Sequence, residues 1–178
     1  SRKRVRYFVG QILSTADFQV EQQYFLDRHR LHNLSSHGWG VIWGLKVFVA
    51  DGSLDSVTVH ISPGLAIDCS GDELFVPQQL VQVLQPPQDD VYVCLMMTET
   101  ETDFVLRIGA GADEERSTEA TRIEESVVLT WKLADPCAGH PVAGKRKTRM
   151  PCGKQHAIAL AHLKKKRRGW RLDRNFRP

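Results

Sequence analysis

The chain has 178 residues, of which 42% are hydrophobic and 25% charged, and its net charge is +3. That is enough for one ordinary domain, which can bury roughly 70% of its unfolded surface without a disulfide or a metal. No stretch approaches the roughly 18 apolar residues of a membrane span, and the basic opening Ser1-Arg2-Lys3-Arg4 meets Gly10-Gln11 too soon to read as a secretory signal.

Tyr7-Phe8-Val9-Gly10 reads as a short extended segment. A helix start follows: Ser14 and Thr15 are good N-caps, and Asp17 puts negative charge where the helix dipole favours it. No Gly or Pro interrupts 16–35, and Val20, Tyr24, Leu31 and Leu34 recur near helical spacing, with Phe18 and Phe25 beside them. Glu21, Asp27, Arg28 and Asn33 fall opposite. The pattern predicts one amphipathic helix over about 15–36, ended by His37-Gly38.

The period then changes to two. Segments 41–49 and 56–61 predict a hairpin around Asp51-Gly52, and 65–67 with 74–76 predict another around Ser70-Gly71-Asp72, stopped by Pro77. Further strands are expected at 80–84, 91–97, 104–108, 126–133, 158–163 and 170–172. The expected organisation is one domain over 1–178, with strands within 41–133 and 156–173 and a Pro/Gly-rich loop at 134–155. The fold class is mainly β: a β-sandwich or partly open barrel with one long N-terminal amphipathic helix packed on it.

Signatures of catalysis are missing. No Gly-rich phosphate loop follows a strand, and neither His-Glu-X-X-His nor Gly-X-Ser-X-Gly occurs. His29 and His32 share a helix face, but no carboxylate or cysteine completes a ligand set nearby, so they read as packing or surface residues. The expectation is no enzyme. Four cysteines in such a chain read as thiols of a reducing, cytoplasmic compartment. The best metal candidate is Cys137-X-X-His140 with Cys152-X-X-X-His156, four zinc-type ligands on two short knuckles. The second knuckle lacks the usual two-residue spacing, and the fold is expected to rest on its sheet and helix. No cofactor is therefore expected, and structural zinc is the alternative.

Charge is patchy rather than large. Basic residues gather at 2–6, 145–149 and 164–168, and a mainly acidic stretch runs over 113–125. Patches of opposite sign suit subunit contacts. The run Lys164-Lys165-Lys166-Arg167-Arg168 reads as a charged hairpin tip, and no aromatic sheet face suits base stacking, so no nucleic acid is expected. Trp39 and Trp43, four apart, are expected on one strand face, as core anchors or as partner-binding residues.

The order of motifs resembles a known family. Gly10-X-X-Leu13 after an aromatic leads to Asp17-Phe18-Gln19, Gln22-Gln23-Tyr24 and Arg28-X-Arg30. Trp39-Gly40 and Gly44-Leu45 follow, then Ile61-Ser62-Pro63-Gly64, Ile67-Asp68 and Phe75-Val76-Pro77. The tail carries Ala159-Leu160-Ala161-His162, Gly169-Trp170-Arg171-Leu172-Asp173 and Phe176-Arg177-Pro178. From about residue 7 to 178 this resembles the N-terminal shell domain of TssK, the baseplate protein of type VI secretion, and through it related phage-tail and contractile-injection baseplate proteins. Thr15-Ala16-Asp17 departs from the family's Pro-Gln-His, and the family's helical neck and C-terminal domain have no counterpart here. The resemblance implies a β-sandwich that forms a homo-oligomer, a trimer in that family, and attaches to a baseplate wedge or to other subunits of a tail-like particle. It implies cytoplasmic assembly and a structural adaptor that docks peripheral components. Without the C-terminal domain, no direct membrane contact is expected. The expected partner-binding residues are Phe18, Gln19, Gln22, Tyr24 and Phe25, with Trp39 and Trp43 behind or beside them. The rival reading is a small zinc-stabilised module that binds an anionic partner through its basic hairpin.

Overall fold

The computed structural model describes residues 2–50, 55–106, 118–140, 142–143, 148–149, 151–167 and 169–178. The expected turn at Asp51-Gly52, the end of the 104–108 segment, part of the 113–125 stretch, residues 145–147 and Arg168 lie outside them.

Ser14 caps helix α1 (Thr15–Ser36): its side chain accepts from the Asp17 amide, while the Asp17 carboxylate accepts from the Ser14 amide at 2.8 Å. This reciprocal box satisfies two amides that helix geometry leaves open, and it sets negative charge at the positive end of the dipole. At the other end the His37 amide donates to the Asn33 carbonyl at 2.9 Å before the chain turns at Gly38.

Among the described residues twelve strands follow: β1 (Gly40–Gly44), β2 (Val47–Ala50), β3 (Val57–Ile61), β4 (Gly64–Ile67), β5 (Glu73–Val76), β6 (Leu80–Leu84), β7 (Asp90–Leu106), β8 (Thr118–Lys132), β9 (Val142–Ala143), β10 (Thr148–Arg149), β11 (Ile158–Lys166) and β12 (Gly169–Leu172). They pair antiparallel in sheets ordered β1-β4-β5, β2-β3-β6 and β12-β11-β7-β8, with β9-β10 a small hairpin. The fold is mainly β with one N-terminal helix, as expected. The three larger sheets curl around one core that contains Ile61, Leu74, Leu95, Ile158 and Leu163. On β3 burial alternates, so Val57, Val59 and Ile61 face the core. Strand β11 is buried almost throughout, because it lies between β12 and β7 and a second cluster around Cys94, Ala157 and Ala159 covers its other face.

Four departures from the sequence expectations have local causes. The expected strand at 41–49 is two strands in different sheets, separated by a corner where Leu45, itself buried, takes φ +51°. Within β1 the register to β4 slips by one between Val41 and Trp43, so Ile42 is an extra residue. A slip of one exchanges the faces. Trp39 therefore packs half-buried on the core, whereas Trp43 is 51% exposed, and the two do not share a face. The expected strands at 91–97 and 104–108 are one 17-residue strand, β7, paired along its length with the 15-residue β8. Their middle alternates Thr with Glu, and Thr favours strands although Glu hides the apolar alternation. Finally, the expected loop at 134–155 contains the β9-β10 hairpin.

The helix is packed by polar groups, not by its aromatics. Asn33, its one buried residue, donates from Nδ2 to the Gly71 carbonyl at 3.0 Å and reaches Glu73 Oε1 at 3.3 Å. Arg30 Nε pairs with Asp72 Oδ1 at 2.6 Å. Gly71 and Asp72 belong to the β4–β5 turn and Glu73 opens β5; buried Asp68 organises the turn by accepting from the amides of Ser70, Gly71 and Asp72 at 2.9, 3.0 and 3.0 Å. Gly71 has φ +99°, and a Cβ there would lie 2.5 Å from the Arg30 carbonyl oxygen, so helix and turn touch backbone to backbone. The apolar residues of α1 do not make one face. At 100° per residue, Phe18 and Phe25 lie roughly opposite Val20 and Leu31, and all four are exposed.

Candidate functional site

Two features could carry function: an extended apolar and acidic surface, and a cysteine-histidine cluster. The surface has two parts. On the helix, Phe18, Gln19, Gln22 and Phe25 are exposed, Tyr24 is half-buried, and Phe25 stands 61% exposed with its ring edge-on to Tyr24 at 5.5 Å. The outer part of the β7-β8 ladder is the second part; its β8 side overlaps the acidic 113–125 stretch, while 104–108 reads in the sequence only as a short strand. From Glu99 and Glu125 outward nearly every residue is exposed, while Leu95 and Leu129 at the base are buried. From Glu99 to Leu106 the arm reaches roughly 22–24 Å along β7. It presents Phe104, Val105, Leu106 and Ile123 to solvent among Glu99, Glu101, Asp103, Glu119, Glu124 and Glu125. Glu99 lies directly opposite Glu125, a like-charge pair that works against the ladder.

The cysteine-histidine cluster differs from the expected set by one residue. Cys69, His140, Cys152 and His156 offer ligand atoms that all lie within 4.8 Å of one another, so these four residues could coordinate a metal. Cys137 is not among them. It is buried in the main core, on the turn that its own amide closes onto Asp135 Oδ1 at 2.9 Å. Its place is taken by Cys69 from the β4–β5 turn, buried and 3.7 Å from His140 Nδ1. The ring of His140 lies 4.7 Å from that of His156 and 4.7 Å from that of Trp39. His156 donates from Nδ1 to the Ala157 carbonyl at 2.9 Å, which leaves Nε2 as the ring's lone pair. That Nε2 is buried and has no hydrogen-bond partner. Burial pushes the Cys69 thiol up to about 12, and it does the same to Cys94. Neither is a ready thiolate nucleophile at neutral pH.

A third cluster fixes the end of the chain. His162 is buried, stacked on Tyr92 at 4.3 Å, and bonded to Asp90 through Nε2 and to Asp173 through Nδ1. Lys164 Nζ lies 2.8 Å from Asp173, and its hydrogen bond is the main reason that carboxyl titrates at about 2 instead of 3.8. A carboxyl with a depressed pKa stabilises the fold above its ordinary value, and the contribution disappears as pH falls from about 4 to about 2. Lys164→Met is expected to move the Asp173 midpoint, followed by carboxyl-detected NMR, back up towards 3.8 and to shorten that window.

No protein-family model matches the sequence, and no curated protein matches it. The fold does match solved structures. It is similar to one chain of the baseplate complex from the type VI secretion system, at TM-score 0.52 and 14% identity, covering 100% of this chain and 60% of the other. It is also similar to a chain of the type VI secretion TssK-TssF-TssG baseplate subcomplex, at TM-score 0.53 and 14% identity, covering 100% and 62%. The chain thus spans about three fifths of the length of each protein it matches.

Proposed function

We propose that the chain is a structural assembly protein of a contractile tail-like machine, a baseplate-associated adaptor that joins peripheral components to the baseplate. The observation that carries this reading is the fold likeness over the whole chain to chains of type VI secretion baseplate complexes. The surface supports it. An aromatic helix face and a long arm whose described residues are nearly all exposed are costly to leave in water, and they suit docking to other subunits. We read residues 1–178 as one shell-like domain that assembles in the cytoplasm as a homo-oligomer, with a trimer as the expected size. The role is non-enzymatic and needs neither nucleic acid nor direct membrane contact. Phe18, Gln19, Gln22, Tyr24, Phe25 and Trp43 line the docking surface, and Trp39 supports it from the core side.

The rival, an anion-binding module using the basic hairpin, is less favoured. Lys164 is paired with Asp173, and Lys165 Nζ lies 3.5 Å from Asp89 and 3.8 Å from Asp55, so two of the run's cations are engaged inside the chain. Light scattering on the purified protein at micromolar concentration is expected to give a multiple of the chain mass. A stable monomer that recovers no baseplate subunit in pull-downs would count against the proposal.

The helix aromatics separate docking from packing. A buried aromatic cut back to alanine costs roughly 3–5 kcal/mol. Phe25 is mostly exposed, so Phe25→Ala is expected to cost less than about 1 kcal/mol in urea unfolding. A loss in the higher range would place the ring in the core and remove it from the docking surface.

A further inference from the structure

We propose that Cys69, His140, Cys152 and His156 bind one zinc ion as a closed structural site that ties the 134–156 segment to the β4–β5 turn. The proposal stands independently of the assembly reading. Two thiolates and two imidazoles are the donor set of tetrahedral zinc, and two thiolates cancel the charge of the ion, which suits a partly buried position. Bond lengths of about 2.3 Å to sulfur and about 2.0 Å to nitrogen put neighbouring donors at a tetrahedral edge of roughly 3.5 Å. The 3.7 Å between Cys69 Sγ and His140 Nδ1 is close to that edge, and the whole set lies within 4.8 Å.

His156 supplies the independent observation. A buried ring nitrogen with no partner is costly to retain. His156 offers one ring nitrogen to the same close group as the two sulfurs, and because Nδ1 is held by a backbone carbonyl, Nε2 is the nitrogen left to serve as donor. A hydrogen bond on the far nitrogen is how metal-bound histidines are oriented. All four positions are filled by protein, so the site has no open coordination for a substrate and is structural.

The placement also says what the ion would do. Cys69 lies between Asp68 and Ser70 in the turn whose Gly71 carbonyl receives Asn33 of the helix. His140, Cys152 and His156 come from the region between β8 and β11. One ion would therefore lock that region onto the turn that seats the helix, across 71 residues of sequence between Cys69 and His140.

The test begins with elemental analysis of the native chain purified under reducing conditions, where about one zinc per chain is expected. Cys69→Ser and Cys152→Ser are expected to lower this to less than roughly a tenth, and Cys137→Ser to leave it unchanged. A chelator should lower the melting temperature of the wild type and not that of Cys69→Ser. Cobalt titration of stripped wild-type protein needs no variant: tetrahedral visible bands with thiolate charge transfer are expected at one equivalent. Overturning results would be no zinc together with no such cobalt spectrum, a Cys69–Cys152 disulfide in the reduced preparation's intact mass, or loss of metal in Cys137→Ser with retention in Cys69→Ser.

Discussion

Replacing Gly64 with alanine is expected to destabilise the protein by more than about 4 kcal/mol, in the range reached only by changes that the backbone cannot absorb. A Cβ at Gly64 would meet Leu45 N at 2.4 Å, the Trp43 carbonyl oxygen at 2.5 Å and Leu45 Cγ at 2.8 Å. Two of the three are main-chain atoms, and they belong to the corner where the chain leaves one sheet for the next. Strands β1 and β4 meet here, with Gly44 directly opposite Gly64. No rotamer change relieves a clash with backbone, so the strands must separate or the corner must open. Gly139→Ala is the matched control. A Cβ there meets nothing within 4 Å, and the change is expected to stay within about 0.5 kcal/mol. Chemical unfolding of both variants checks the pair.

The second large effect lies in β7. Leu95 is fully buried and sits across the ladder from Leu129 on one side and Ile158 on the other. Leu95→Ala is expected to cost about 2–5 kcal/mol, the range for a leucine cut back within a packed core. Val105→Ala, ten positions further along the same strand and 50% exposed, is expected to change stability by less than about 0.5 kcal/mol. The contrast measures how the strand is divided. Its first half builds the core, while its second half carries apolar groups that the chain itself does not bury.

The local structure was legible where the signal is local. Ser14 and Asp17 mark the helix start because a capping box is written three residues apart, and the β2-β3 and β4-β5 hairpins are visible as alternation around turn residues. What stayed hidden depends on partners far along the chain. The helix reads as amphipathic from apolar residues near helical spacing, but its anchor is Asn33, a polar residue whose partner lies 38 positions away. The extra residue at Ile42 changes no composition, yet it turns Trp43 out of the face that Trp39 keeps. The middle of β7 reads as a break between two strands, since residues 98–102 alternate Thr with Glu and carry no apolar side chain. The spacing of Cys137 to His140 points to that cysteine as a ligand. Only the β4–β5 turn reveals that Cys69 takes that place and that Cys137 belongs to the core.

The proposed role depends on whether the exposed aromatics bury against other subunits of a particle. Phe18→Glu/Phe25→Glu combines two exposed sites, so it should fold like the wild type. The most direct measurement is the copy number of this chain, by quantitative mass spectrometry, in tail-like particles purified from cells making either wild-type or doubly substituted protein. Fixed stoichiometry for the wild type and loss of the folded variant from the particle is the expected result. Wild-type chain absent from the particles, or the variant incorporated at the same copy number, would contradict docking through this face.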